Sequence, residues 1–195
     1  MKKKIWILIY SSVIYGLYLV LSNSCTKDNE YDPIASRLIP GQFYKGGVIA
    51  YILQQGDSGY VANEQHGLIA APYDQSTGIQ WDNGSNIVTG AAGIAIGTGN
   101  ANTNTIVAFK GAGSYAAKLC YDLVLDGVSG WYLPSKDELE KLFQNKDVIG
   151  GFAPTPYWSS TESLNNYAWH ECFSNGYQSN TNMGNIYRVR AVRAF

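Results

Sequence analysis

The tetrad Ser135-Lys136-Asp137-Glu138 settles local structure more firmly than any other stretch of the chain. It is a capping box, in which the Ser135 hydroxyl and the Glu138 carboxylate satisfy each other's backbone donors at a helix start. Leu139, Leu142 and Phe143 follow at the spacing of a buried helical stripe, so an amphipathic helix begins here. A second helix reads from Ser114 as cap, through Ala116, Leu119, Cys120, Leu123 and Val124 at i, i+3, i+4, i+7 and i+8, to Gly127 as its stop. Outside these two segments the apolar residues come in short runs. With 21 glycines and 15% charged residues, the chain favours many short elements and turns over a helical bundle.

The strand signals are brief. Gly47 to Leu53 is rich in β-branched residues and ends in a turn from Gln54 to Gly59; a further strand is expected to start near Tyr60. Gly67 to Ala71 is a short apolar strand stopped by Pro72, and Trp131, Tyr132 and Leu133 read as a short strand entering the core. Residues 74–105, built from Gly, Thr, Asn and Ala, read as loop.

The N-terminus is an export signal. Lys2, Lys3 and Lys4 precede an uncharged apolar run from Ile5 to Leu21, then Ser22, Asn23, Ser24 and Cys25. The arrangement resembles a bacterial lipobox, with Cys25 as the acylated first residue of the mature chain. It departs from the usual pattern in one respect: Leu21 lies four residues before the cysteine where three is the rule. A spanning helix is the alternative, since such helices need about 20 apolar residues. The polar Thr26 to Asp32 favours lipidation, and Lys27-Asp28-Asn29-Glu30 resembles the acidic export signal of surface lipoproteins in the Bacteroides group. The expected organisation is therefore a signal peptide over 1–24, a tether over 25–40 and one domain over 41–195, lipid-anchored at the outer membrane and facing the cell exterior. Loss of the signal removes three lysines and no acid, moving the formal net charge from −1 to −4. A basic nucleic-acid footprint is absent.

The last forty residues carry the functional signal. Between Ser163 and Tyr187 lie Asn165, Asn166, Tyr167, Trp169, His170, Tyr177, Gln178, Asn180, Asn182, Asn185 and Tyr187, with almost no aliphatic residue among them. Tyr and Trp supply rigid amphipathic contact area, and Ser, Asn and Gly adaptable hydrogen bonding, which is the chemistry of antibody loops. A solvated loop is the plain reading of Asn, Ser and Gly, but not of so many aromatics. If Tyr167 to Phe173 is extended, Tyr167, Trp169, Glu171 and Phe173 share one face, and Ala168, His170, Cys172 and Ser174 the other. Tyr177 to Tyr187 shows no clear period and reads as a loop.

Several motifs together resemble one family: Gly67-Leu68-Ile69-Ala70-Ala71-Pro72, the run Gly90 to Asn104, Gly130-Trp131-Tyr132-Leu133-Pro134-Ser135-Lys136-Asp137-Glu138-Leu139, Tyr157-Trp158-Ser159-Ser160-Thr161-Glu162, Ala168-Trp169, and Val189-Arg190-Ala191-Val192-Arg193. It is the Lcl C-terminal-domain family, similar to the Fibrobacter major paralogous domain, and the match runs from about Gly46 to Phe195. The resemblance implies an α+β, C-type-lectin-like fold with short strands, two helices and a long irregular ligand-binding region. Relatives are surface adhesins, one of which binds sulfated glycans from a collagen-like stalk. This chain has no collagen repeat, and its negative mature charge disfavours a polyanionic ligand. The tail also resembles the variable segment of lectin-fold lipoproteins diversified by retroelements. Family positions Trp169 and Phe173 are kept apolar, which makes them scaffold and leaves His170 and Cys172 on the variable surface.

The expected function is ligand binding, to a glycan or a protein on another cell or surface, through Asn165, Asn166, Tyr167, His170, Cys172, Tyr177, Gln178, Asn180, Asn182, Asn185 and Tyr187. A structural envelope or pilus-associated role is the alternative. An enzyme related to the formylglycine-generating oxidases of the same fold comes third, because no base stands at a recognisable spacing from Ser159-Ser160-Thr161-Glu162. No cofactor is expected. Nor is a metal: His66 and His170 lack ligand-spaced partners, and the calcium tripeptides of sugar-binding lectins are missing, Trp81-Asp82-Asn83 being a fragment in the wrong place. Cys120 and Cys172 could pair outside the cytoplasm, yet Cys120 suits a buried helix stripe and Cys172 the ligand face, which favours two free thiols. Arg190, Arg193, Glu138 and Glu162 read as structural anchors.

Overall fold

A computed structural model of the chain describes residues 37–84, 87–164 and 166–195. The signal peptide, Cys25 and Asn165 lie outside them. In chain order the elements are β1 (Phe43–Tyr44), β2 (Gly47–Ile52), β3 (Gly67–Ala70), β4 (Ser76–Ile79), α1 (Gly99–Lys110), α2 (Ala116–Tyr121), α3 (Lys136–Gln144), α4 (Lys146–Ile149), β5 (Pro156–Glu162), β6 (Tyr167–Cys172), β7 (Tyr177–Asn182), β8 (Tyr187–Val189) and β9 (Val192–Ala194). They form two sheets, β1-β2-β3-β9 and β4-β8-β5-β6-β7, an α+β arrangement of the C-type-lectin-like kind. The chain closes on itself where β9, the last strand, pairs antiparallel with β3 through Ile69 and Arg193. Gly67 permits that closure. A Cβ there would lie 2.1 Å from the Tyr51 carbonyl oxygen and 3.0 Å from the Phe195 ring.

The capping box forms as the sequence dictates. Glu138 N donates to Ser135 Oγ at 3.3 Å and Ser135 N to Glu138 Oε2 at 2.7 Å. The same pair reaches across the molecule: Ser135 Oγ donates to the Ala95 carbonyl at 2.9 Å and Gly97 N to Glu138 Oε1 at 2.9 Å. The cap thus holds the glycine-rich stretch as well as its own helix. Leu139 and Leu142 are buried with Tyr157, Phe173 and Val192 in one core cluster; Trp81, Trp131, Trp158, Ile49, Ile69 and Ile106 anchor the other.

Five local expectations are corrected. Residues 74–105 are not all loop, because they hold β4 and the start of α1. The buried positions of α1 are Gly99, Asn102, Thr103, Ile106 and Lys110, a helical spacing concealed because polar groups fill it. Asn102 Nδ2 donates to the Gly93 carbonyl at 2.6 Å, Leu133 N donates to Thr103 Oγ1 at 3.0 Å, and Lys110 pairs with Asp82 at 3.0 Å. Second, α2 is short, with Tyr115 rather than Ser114 at its N-cap, and it ends before Gly127, which sits in a turn closed by Leu125 and Val128. Leu119 and Leu123 are accordingly half-buried and Val124 exposed, while Cys120 is buried as expected. Third, no strand starts at Tyr60; Tyr51 Oη and Gln54 N both donate to Asp57 Oδ2 at 2.7 Å and fold that segment into turns. Fourth, Trp131 to Leu133 is buried but makes a single bridge, Tyr132 to Val192, instead of a strand. Fifth, Tyr177 to Tyr187 is not a loop throughout, since its first half is β7.

Candidate functional site

The Tyr/Asn-rich tail forms the β6–β7 hairpin and the turn that leads to β8. Its fold has local causes. Gly176, with φ of 76°, makes the β6–β7 turn, and a Cβ there would lie 2.4 Å from the Phe143 ring, so the turn seats against α3. Before β6, Asn166 adopts φ of 62°, a left-handed conformation that Asn tolerates, and its carbonyl accepts from Met183 N at 2.9 Å. Asn182 Oδ1 accepts from Gly184 N at 2.9 Å and Asn185 Nδ2 donates to Thr181 Oγ1 at 2.6 Å, which shapes the turn after β7. Two of the candidate amides therefore have work inside the hairpin.

The register of β6 against β7 sorts the candidates into two sets. Cys172 stands opposite Tyr177, His170 opposite Ser179 and Ala168 opposite Thr181; the alternating pairs are Glu171–Gln178, Trp169–Asn180 and Tyr167–Asn182. Side chains of paired residues share a face. His170, Cys172 and Tyr177 thus look one way, and Tyr167, Gln178, Asn180 and Asn182 the other. No single flat surface contains them all.

The first face continues into an aromatic layer. The Tyr187 ring lies 4.5 Å from Trp158 and 4.8 Å from His170, so His170 and Tyr187 pack on the core while Tyr177 stands 65% exposed. Burial holds the His170 imidazole below its usual pKa, which keeps it neutral, and its Nδ1 is buried with no partner. The Cys172 thiol is half-buried, 3.1 Å from Ser174 Oγ, and it and Cys120 are both free. Burial pushes the Cys120 thiol well above the ordinary range, so that group is inert.

The second face rests on α3. Glu171 is fully buried there, and its carboxyl is raised to about 8, first by burial and then by its hydrogen bond with Glu140; Gln178 opposes the shift. Gln178 Nε2 donates to Glu171 Oε2 at 3.2 Å and to the Lys136 carbonyl at 3.1 Å. The Lys136 ammonium stands 5.0 Å from the Trp169 ring centre. Trp169 is half-buried at the margin of this surface, whereas Phe173 is wholly scaffold. Tyr167 is 43% exposed, and Asn180 and Asn182 are exposed. Lys136 and Trp169 were not among the candidates; Trp169 was hidden by its apolar type, and Lys136 by belonging to a helix far away in sequence.

Of the anchors expected from the sequence, Arg190, Glu138 and Glu162 are in place, whereas the Arg193 side chain has a single hydrogen bond among the described residues, at 3.3 Å to the Lys45 carbonyl. Arg190 is buried, pairs with Asp74 at 2.8 Å and donates to the Ala71 and Gly151 carbonyls. Glu162 accepts from Thr89 N, Thr89 Oγ1 and Gly90 N. Ser159 Oγ donates to the Trp169 carbonyl at 2.9 Å, Ser160 Oγ accepts from Asn102 at 3.3 Å, and both residues are buried. Among the described residues no three His, Cys, Asp or Glu side chains converge as metal ligands, and no helix is long and apolar enough to cross a membrane.

Comparison with curated proteins finds no match. The family model for the Lcl C-terminal domain, in contrast, matches residues 71–193, from the Ala71 that accepts from Arg190 to the Arg193 that pairs across β3. That span is more than half of the chain and takes in α1, α3 and the whole of the second sheet, and the protein therefore belongs to the Lcl C-terminal domain family.

Proposed function

We propose that this protein is a cell-surface lipoprotein that binds a ligand, a glycan or a surface protein, through its β6–β7 hairpin. The observation that carries the reading is the set of side chains the hairpin presents beyond what its own packing needs. Tyr177 is 65% exposed, and Tyr167 and Asn180 stand out on the opposite face with no side-chain hydrogen bond or ring contact among the described residues. Exposed tyrosines beside amides give contact area at low entropic cost. In this reading Cys25 carries the acyl anchor, the tether holds the domain off the membrane, and the hairpin varies between strains by retroelement-directed change.

In this reading the role is binding and not catalysis. The serines of Ser159-Ser160-Thr161-Glu162 are buried and committed to structural hydrogen bonds, which supports that reading.

The experiment is the combined replacement Tyr167→Ala, Tyr177→Ala and Asn180→Ala, tested on a glycan and surface-protein array with circular dichroism as the fold control. Binding concentrates in a few aromatic anchors, so the folded variant should lose about tenfold or more in affinity. A folded variant that binds at full strength moves the site elsewhere. Cys25→Ala should abolish acyl-probe labelling and membrane retention, and unchanged labelling refutes the anchor. Sequencing the locus in sister strains tests the variability.

A further inference from the structure

The division of the candidate residues between two faces has an explanation in the edge they share. Among the described residues β7 pairs only with β6 and ends its sheet. Met183 N donates to the Asn166 carbonyl at 2.9 Å, which makes Asn166–Met183 a hydrogen-bonded pair of the antiparallel ladder. Such pairs alternate, so Ala168–Thr181 and His170–Ser179 are also hydrogen-bonded, and Gln178, Asn180 and Asn182 turn their backbone groups away from β6. The other side of β6 agrees: Phe173 N donates to the Thr155 carbonyl at 3.1 Å, which assigns the odd-numbered residues of β6 to β5. The Asn182 carbonyl is taken by Asn185 N at 3.0 Å. The outward N–H groups of Gln178, Asn180 and Asn182 and the outward Gln178 carbonyl form an open row, and the Asn180 carbonyl beside them accepts only a long 3.5 Å bond from Ser179 Oγ.

Among the described residues no other edge offers this. β1 has two residues, the register of β4 is interrupted, and the outer side of β9 is bridged by Tyr132. β7 has six residues in unbroken register, with no charge, proline or bulge, the devices that normally keep an edge from pairing.

We propose that β7 receives an extended polypeptide segment of a partner protein as a sixth strand of the second sheet. This deepens the ligand-binding reading above and rests on it, by naming a peptide backbone as the ligand class. The open donors and acceptors repeat every second residue, about 7 Å apart, a spacing that another strand matches and that sugar hydroxyls do not. An added strand also touches both faces at once, with Tyr177, Ser179 and Thr181 on one side and Gln178, Asn180 and Asn182 on the other. A second copy of β7 is the poorer occupant. Apart from Tyr177 it brings only small polar side chains and amides, too little apolar area for a stable dimer.

The test uses the mature protein and a library of short random peptides displayed on phage, with selected peptides then synthesised. Asn180→Pro removes an outward N–H at an edge position, where proline is tolerated. It should lower peptide affinity by roughly a further tenfold or more below that of Asn180→Ala, which loses the same side chain but keeps the backbone N–H. N-methylation at alternate peptide residues should abolish binding and at the intervening residues leave it intact, a readout that holds even if Asn180→Pro fails to fold. Equal affinity for all N-methylated peptides, failure to select any peptide, or a dimer in light scattering with the β7 amides protected from exchange would each overturn the proposal. If the triple side-chain variant loses its array ligand while a folded Asn180→Pro keeps it, the binding site stands and only strand addition fails.

Discussion

Replacing Asp74 by Ala should be among the most damaging single changes available in this protein. The Asp74 carboxylate accepts from Tyr157 Oη at 2.9 Å, Arg188 Nη1 at 2.9 Å and Arg190 Nε at 2.8 Å. The side chain of Arg190 is wholly buried, with its guanidinium 4.1 Å from the Phe152 ring centre, so Asp74 is the counter-charge of a cation that has no access to water. Its remaining hydrogen bonds go to the carbonyls of Ala71, Gly150 and Gly151, which are neutral and cannot replace a charge. Breaking a buried pair by removing one partner costs about 3 to 5 kcal/mol. The Arg188 pair adds little, because Arg188 is partly exposed. For a domain of this size each kcal/mol lowers the melting midpoint by about 2 to 4 °C, so the midpoint should fall by roughly 10 °C. Thermal and urea melts of Asp74→Ala measure it, and Arg190→Ala with the double variant closes a mutant cycle in which the two losses should be strongly non-additive. A loss below about 1 kcal/mol, or simple additivity, would refute the view that this pair ties residues 71–75 to β8 and β9.

Three further outcomes follow from the packing. Glu171 binds its proton more tightly in the folded chain, up to about 8, so the native state holds a proton that the unfolded chain releases at lower pH. Stability should therefore fall by about 2 to 4 kcal/mol as pH rises from about 5 to about 8.5, and Glu171→Gln should remove most of that slope in urea melts; Glu138, also raised by burial, keeps a remainder of the same sign. Leu142→Ala, in the stripe that α3 buries against Tyr157 and Phe173, should cost about 2 to 5 kcal/mol, and an unchanged melt would show that α3 does not pack as described. A thiol reagent applied to the native domain should label Cys172 and spare Cys120, with both labelled in denaturant; fast native labelling of Cys120 would contradict its burial.

What the sequence determined by itself was whatever has a local cause. The capping box set α3, because Ser135 and Glu138 satisfy each other within four residues, and the apolar runs gave β2, β3 and the buried positions Trp131, Leu139 and Leu142. The motif set gave the family and with it the α+β fold. The composition of the tail identified a region rich in contact chemistry. What only the tertiary structure decided involves partners distant in the chain. α1 was illegible because Asn102, Thr103 and Lys110 occupy its buried face, and what makes them suitable there is Gly93, Leu133 and Asp82, on other segments. β7 was illegible because a strand polar on both sides has no hydrophobic alternation; it is a strand because β6 pairs with it, not because its residues prefer it. The same pairing turned His170 toward the Trp158 layer, where Tyr187 of β8 also packs, and placed Gln178 and Asn180 on the opposite face. Side-chain type specified what the tail can touch, but register against β6, a long-range property, decided which side each residue faces and left the open backbone of β7 at the edge of the sheet.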